Sequence, residues 1–309
     1  MKRYAVHHET RYTYAQPVEF GLHIARLSPI DGPLQRRLEH AIEVTPTPAW
    51  TTAFNDHFGN GLRHFAIETS HTEFRVIQRT VVEITAAPWD AAAPAEGWET
   101  VRDGMGADAF PAYPDVAEFI YPSPLVPIDD AATAYAAESF TPGASPVAAA
   151  FDLAKRIKAE FAYRPGSTTI ETPVSEIMAE RHGVCQDFAH AMISGLRGLG
   201  LPARYVSGYL KTYAAPAETD AREHAAPVQT ALVGSDASHA WVSVWCGPDV
   251  GWVEFDPTNA LMVAEEHVAL AYGRDFTDVT PLRGLITGGG KHTLAVGVKV
   301  ELLPDDPAP

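Results

Sequence analysis

Cysteine is nearly absent. Cys185 and Cys246 are the two thiols in 309 residues, so no disulfide framework staples the fold and a reducing compartment suffices. Basic residues are scarce as well: 23 Lys and Arg stand against 39 Asp and Glu, a formal charge of −16 with neutral His. A surface that acidic repels nucleic-acid phosphates and anionic lipid heads, so neither is an expected partner. No apolar run approaches the roughly 18 residues of a membrane span. The opening MKRYAVHHETRYTY also lacks the apolar centre of a signal peptide, and the cytoplasm is the expected location. What is present is a globular composition, 46% hydrophobic and 20% charged, in a length that suits roughly two domains.

Residues 1–85 alternate like strands. Tyr4, Val6, His8, Thr10, Tyr12 and Tyr14 keep period two, as do Phe74, Val76, Gln78, Thr80, Val82 and Ile84. Turn residues are dense at Asn55-Asp56-His57-Phe58-Gly59-Asn60-Gly61. A small antiparallel β domain is the reading, with Leu34 to Ile42 ambiguous. Residues 86–130 are rich in Ala, Pro and Asp but carry Trp89, Trp98, Phe110, Tyr113, Phe119 and Tyr121. That mixture predicts an irregular connector packed on one or both domains.

Helix starts follow. Ser145-Pro146 and Thr172-Pro173 each set a hydroxyl before a Pro. A third helix is expected from Cys185, with Phe188, Met192, Leu196 and Leu199 inward and a stop at Gly200 and Pro202. Strands are expected at Arg204 to Lys211, Thr230 to Gly234, Ser238 to Trp245, Trp252 to Asp256 and Thr293 to Leu303. The tail at 304–309 should fray.

The most informative segment is Gly183-Val184-Cys185-Gln186-Asp187-Phe188-Ala189-His190. Glycine permits a tight turn into the helix. The helix N-terminus, with roughly half a positive charge, favours thiolate over thiol. Its free N–H groups can also receive an oxyanion formed beside the sulfur. Taken alone, a cysteine at position 185 is more often a buried, inert thiol. A second segment changes that balance. Ser238-His239-Ala240-Trp241-Val242-Ser243-Val244-Trp245 and Trp252-Val253-Glu254-Phe255-Asp256 flank a Gly-Pro-Asp-Val-Gly turn and predict a hairpin. A turn centred between Gly247 and Pro248 sets His239 opposite Asp256, within a residue or two of register. At a cross-strand distance of about 5 Å the carboxylate can hold the imidazole tautomer. Cys185, His239 and Asp256 are thus candidates for nucleophile, base and orienting acid, provided that helix and hairpin meet.

The motifs Gly-Val-Cys-Gln-Asp-Phe-Ala-His (183–190), Gly-Leu-Pro-Ala-Arg-Tyr-Val-Ser-Gly-Tyr (200–209), His-Ala-Trp (239–241) and Phe-Asp-Pro-Thr (255–258) resemble the bacterial transglutaminase-like family of the papain-like cysteine protease and transglutaminase superfamily. Tyr12-Thr13-Tyr14, Asp56-His57-Phe58-Gly59-Asn60 and Gly-Arg-Asp-Phe-Thr-Asp-Val (273–279) are similar to segments that accompany that core. The resemblance implies an α+β fold: an N-terminal β region, then a core over 131–303 whose Cys-bearing helix packs on an antiparallel sheet. By motif match it assigns Cys185 as nucleophile, His239 as base and Asp256 as orienting acid. Its members include proteases, amide hydrolases, cross-linkers and chains without known activity. The expected activity is hydrolysis of a peptide or peptide-like amide through a thioester. Amine transfer and a binding scaffold are the alternatives.

Other candidates are weaker. At about 100° per residue, Asp187 and His190 lie roughly 200° and 140° from Cys185 and suit structural or rim roles. A metal site from Cys185, His182, His190 and His239 lacks CxxC, HExxH and any paired spacing, so neither metal nor cofactor is expected. Gly288-Gly289-Gly290-Lys291 fails as a phosphate loop, since His292 rather than Ser or Thr follows the Lys, and a surface loop is the reading. No GxSxG surrounds Ser194 or Ser207. Tyr163 is a candidate oxyanion donor or else a core or rim aromatic, Gln186 a candidate substrate contact, and Trp241 and Trp252 either wall the site or pack on the sheet; Cys246 has no assigned role.

Overall fold

Residues 1–92, 96–106, 113–212 and 238–304 are described by the computed structural model. The period-two alternation at the start makes one strand of 27 residues, β1 (Lys2–Ser28). Tyr4, Val6, His8 and Thr10 are buried while their neighbours are half-exposed, as a sheet with one face on a core requires. β2 (Gln35–Thr45), β3 (Trp50–Asn55), β4 (Gly61–Ile67) and β5 (His71–Ile84) give the order β2-β5-β1-β4-β3. The ambiguous stretch is therefore strand: β2 runs antiparallel to β5 from Gln35↔Ile84 to Thr45↔Arg75.

The connector is less irregular than its composition suggests. It contains α1 (Trp98–Gly104), α2 (Pro114–Ala117) and a 3-10 turn at Glu118–Ile120. Trp98 and Val101 are buried in the main core, so docking rather than propensity holds the first of these short helices. Phe110, the strand expected at Thr230 to Gly234 and residues 305–309 of the tail lie outside the described residues.

The second half of the chain has the expected α+β form. It comprises α3 (Asp130–Ala137), α4 (Pro146–Glu160), β6 (Ala162–Tyr163), α5 (Val174–Glu180), β7 (His182–Gly183) and α6 (Cys185–Gly198). β8 (Ala203–Leu210), β9 (His239–Trp245), β10 (Trp252–Asp256), β11 (Leu261–Met262) and β12 (His267–Gly273) form an antiparallel sheet ordered β11-β10-β9-β8-β12. Phe188, Met192 and Leu196 of α6 share one core with Ala240, Val242, Val244, Val253 and Phe255 of the sheet. A short helix α7 (Phe276–Val279) follows.

The strand expected at Thr293 to Leu303 forms as β14 (His292–Leu302), but its partner is β1, from Tyr4↔Leu302 to Tyr14↔His292. β13 (Leu282–Gly288) pairs with the other half of β1. The chain thus returns to its first sheet, turning between the two strands at Gly288, Gly289 and Gly290, all at positive φ. Apolar packing joins the sheets, as Tyr209, Val268 and Leu270 enter the same cluster as Tyr4, Val6, Phe65 and Phe74. Two side-chain amides fix the junction. Gln35 donates to Ala269 O and accepts from Ala269 N, both at 2.8 Å. Asn60 donates to Tyr272 O at 2.7 Å and accepts from Tyr272 N at 2.8 Å. Both amides clamp β12.

Candidate active site

The approach to Cys185 is set by a tight turn. β7 pairs in parallel with β6 and delivers the chain to α6, with Cys185 as the first helical residue, half-buried. A Cβ on Gly183 would lie 2.6 Å from Asp187 Oδ2, so glycine lets that carboxylate fold back. Asp187 accepts from the Val184 N–H at 2.8 Å and the Thr168 hydroxyl at 2.7 Å, which caps the helix. Burial pushes its carboxyl up, against those hydrogen bonds. Gln186 donates to Ile170 O at 3.2 Å on the exposed side. Tyr163 lies in β6 with its ring 6.3 Å from that of Phe188.

The hairpin is two residues out of the register that opposes His239 to Asp256. Val242 pairs with Phe255 and Trp245 with Trp252, so Asp256 falls opposite Trp241. A shift of two preserves the face. His239 is therefore the diagonal neighbour of Asp256 on the same side, and its Nε2 donates to Oδ2 at 2.9 Å. A one-residue error would have separated them.

Asp256 is fully buried and, among the described residues, accepts five hydrogen bonds. Besides His239, Oδ2 takes His267 Nε2 at 3.1 Å and Asn259 Nδ2 at 2.7 Å. Oδ1 takes the N–H groups of Thr258 at 2.9 Å and Asn259 at 3.2 Å. Burial would raise this carboxyl, but the two imidazoles hold it well below the usual carboxylate range. Burial likewise opposes a charged His239, yet Asp256 beside it and the Cys185 sulfur prevail and push it up to about 10. With Nε2 on Asp256, His239 Nδ1 has no other hydrogen-bond partner, which leaves that edge of the ring for the sulfur.

His267 and Asn259 were not anticipated. His267-Val-Ala-Leu-Ala-Tyr-Gly273 is buried along almost its whole length, so it lacks the polar-apolar alternation that marks a strand in sequence. Val268, Leu270 and Tyr272 were the available signal. Trp241 is fully buried, donates to Glu254 Oε2 at 2.7 Å and lies 6.1 Å from the His239 ring at 29° between planes. It packs beside the imidazole on the same face of the sheet.

The remaining candidates go elsewhere. Burial pushes His190 down to about 4, and its Nε2 accepts from Phe276 N at 3.3 Å. His182 turns to Glu180, 3.5 Å away, and Ser194 donates to Pro127 O at 2.6 Å. Cys246 is buried, which pushes its thiol well up. Ligand atoms of His239, Asp256 and His267 lie within 4.8 Å of one another, a donor set that a divalent cation could share. Both Nε2 atoms already sit at hydrogen-bond distance from one carboxylate oxygen, an arrangement suited to sharing protons. Cavities of about 610 and 540 Å³ lie beside the hairpin turn and behind β12 rather than at Cys185. Among the described residues no helix is long and apolar enough to cross a membrane.

A Cys-bearing helix on an antiparallel sheet that presents a His–Asp pair defines a class, and the comparisons agree with it. Residues 4–83 match the bacterial transglutaminase-like N-terminal region and residues 133–257 match the transglutaminase-like superfamily; the chain belongs to that superfamily. An uncharacterized protein of Mycobacterium tuberculosis is 35% identical over 308 residues, covering 98% of this chain and 93% of the relative. A protein-glutamine gamma-glutamyltransferase of Pseudomonas aeruginosa is 33% identical over 151 residues, 46% of this chain and 21% of that protein. A solved structure from Cytophaga hutchinsonii, designated a candidate cysteine protease, shares the fold with a TM-score of 0.75 at 22% identity, covering 100% of this chain and 93% of that one.

Proposed function

We propose that the protein is a cysteine-dependent hydrolase that cleaves an amide or peptide bond through a thioester on Cys185. The observation that carries the reading is the polarity of His239: Nε2 is fixed on buried Asp256, and Nδ1 is left to the sulfur. In this scheme the proton shared by the Cys185 sulfur and the raised His239 rests on Nδ1, and the sulfur adds to the carbonyl carbon. The oxyanion is received by N–H groups in the first turn of α6, beside Tyr163 and Gln186 at the rim. The C–N bond then breaks, His239 returns the proton to the leaving amine, and the acyl group stays on sulfur. Water, deprotonated by the same imidazole, attacks the thioester, and the carboxylic acid leaves as the thiol re-forms. Asp256 keeps the tautomer and balances the charged ring.

Solvent is the default acceptor at a half-exposed thioester; a transglutaminase must hold an amine and exclude water. The two outcomes separate in one assay. A glutamine-containing peptide is incubated with the protein and a labelled primary amine, and free acid is compared with amine adduct. Acid in excess is expected, and adduct in clear excess refutes the hydrolase. Cys185→Ala removes both products; activity that survives it, or survives thiol alkylation, refutes the nucleophile.

A further inference from the structure

Behind the sheet face that carries Trp241, between β12 and residues 30–35 of the first domain, lies a cavity of about 540 Å³. That volume suits one small organic molecule. Trp89, Trp252, Pro33 and Val263 give it apolar walls. Arg204 is its lining cation. The guanidinium carbon lies 4.2 Å from the Trp252 ring centroid and 3.8 Å from that of Tyr272, so two rings pack against it. Nε donates to Ser243 Oγ at 3.3 Å, and among the described residues nothing hydrogen-bonds the two Nη groups.

The lining acids, by contrast, are committed. Glu254 accepts from Trp241 Nε1 at 2.7 Å and from the Tyr272 hydroxyl at 2.8 Å. Asp31 accepts from the Arg37 backbone N–H at 2.6 Å and from its guanidinium at 3.4 Å. The cavity thus has donors to spare, and the occupant must bring the acceptor. A second feature links it to the chemistry. His267 also lines it at 5% exposure; its Nε2 is on Asp256 and its Nδ1 is buried without a partner.

We propose that this cavity binds a small carboxylate with an aromatic or aliphatic body, the carboxylate on the Arg204 Nη groups and the body against Trp89, Trp252 and Val263. Occupancy restrains the His267 ring and so acts on Asp256, coupling a second site to Cys185 without contact with it. The inference is independent of which acceptor the thioester meets.

Tryptophan fluorescence of the full chain reads binding directly, because Trp89, Trp241 and Trp252 line the cavity. Phenylacetate and hexanoate should each give a saturable change below about 10 mM. Phenylacetamide, equal in shape but uncharged, should bind at least about tenfold more weakly. Arg204→Gln should weaken phenylacetate by a similar factor, and the acid–amide comparison on the unaltered chain needs no variant at all. Saturating phenylacetate should shift the rate of Cys185 alkylation by iodoacetamide at least about twofold. Equal binding of acid and amide, or no saturable signal, overturns the ligand assignment. Binding that leaves the alkylation rate unchanged overturns the link to the active site.

Discussion

His267 allows the sharpest test of how the acid of the site is held. Its Nε2 donates to Asp256 Oδ2 at 3.1 Å, and its ring packs edge-on to Trp241 with centroids 5.2 Å apart. His267→Ala deletes one donor to a fully buried carboxylate, a loss of about 1.5–3 kcal/mol for a hydrogen bond to a charged group. Four donors remain on Asp256, so the larger cost of about 3–5 kcal/mol for stranding a buried charge is an upper bound not reached. The void left by the ring adds to the loss, giving about 2–4 kcal/mol in urea unfolding at unchanged slope. His267→Gln places an amide N–H near the same position and should recover most of it. The functional readout is the rate of Cys185 alkylation by iodoacetamide, with buried Cys246 as the slow background. With one donor fewer on Asp256 Oδ2, His239 is less well held, and the rate should fall about tenfold in the Ala variant and recover in the Gln variant. Equal defects in both variants would refute the hydrogen bond as the cause. A full-rate Ala variant would remove His267 from the site altogether.

Further outcomes follow from the same contacts. His239 is raised above its unfolded value of 6.5, so its contribution to stability is complete below pH 6.5 and is lost as pH rises towards 10; a His239→Gln variant should flatten that basic limb of the unfolding free energy. His8, His23, His40 and His190 are each pushed down to about 4 by burial, so the unfolded chain binds protons first and stability should fall from pH 6.5 towards 4, by up to about 1.4 kcal/mol per pH unit for each group. A profile that stays flat over that acid window would refute their neutral burial. Gln35→Ala strips partners from both backbone groups of Ala269 and from Ile30 O and should cost about 2–4 kcal/mol in urea; a loss below about 0.5 kcal/mol would mean that the sheets do not depend on that clamp. A Cβ at position 208 would stand 2.2 Å from Val268 O and 2.3 Å from the Trp241 ring, so Gly208→Ala should cost about 1–3 kcal/mol in thermal unfolding, and a near-native midpoint would refute the close strand contact beside His239.

The parts of the site legible in sequence are those fixed by local chemistry. The start of α6 at Cys185 follows from a glycine, an apolar helical face and a Gly-Leu-Pro stop, and it falls where expected. The hairpin follows from two β-rich runs and a turn, and its two-residue register error was harmless because side chains repeat with period two. What sequence pattern could not supply is pairing between distant segments. β14 alternates well enough to be found, yet nothing within it names β1 as its partner over β8 or β12. β12 escaped because burial on both faces erases the alternation by which half-buried strands are recognised.

That omission matters more than the others, because β12 links the two halves of the chain. On one side Gln35 and Asn60 of the first domain hold its backbone at Ala269 and Tyr272. On the other, His267 at its first residue holds Asp256, which holds His239. Asn60 belongs to a motif that reads in sequence as a turn remote from any catalytic group, and Asp56 in the same motif accepts from the Phe58 and Asn60 N–H groups to shape it. The motif therefore positions the acid through one strand. Asn60→Ala should consequently lower the Cys185 alkylation rate as well as stability, with the two defects restored together by Asn60→Asp only in respect of the Tyr272 N–H and not of Tyr272 O, which needs a donor. A variant that loses stability while Cys185 reacts at the native rate would show that the first domain serves only to cover an apolar face.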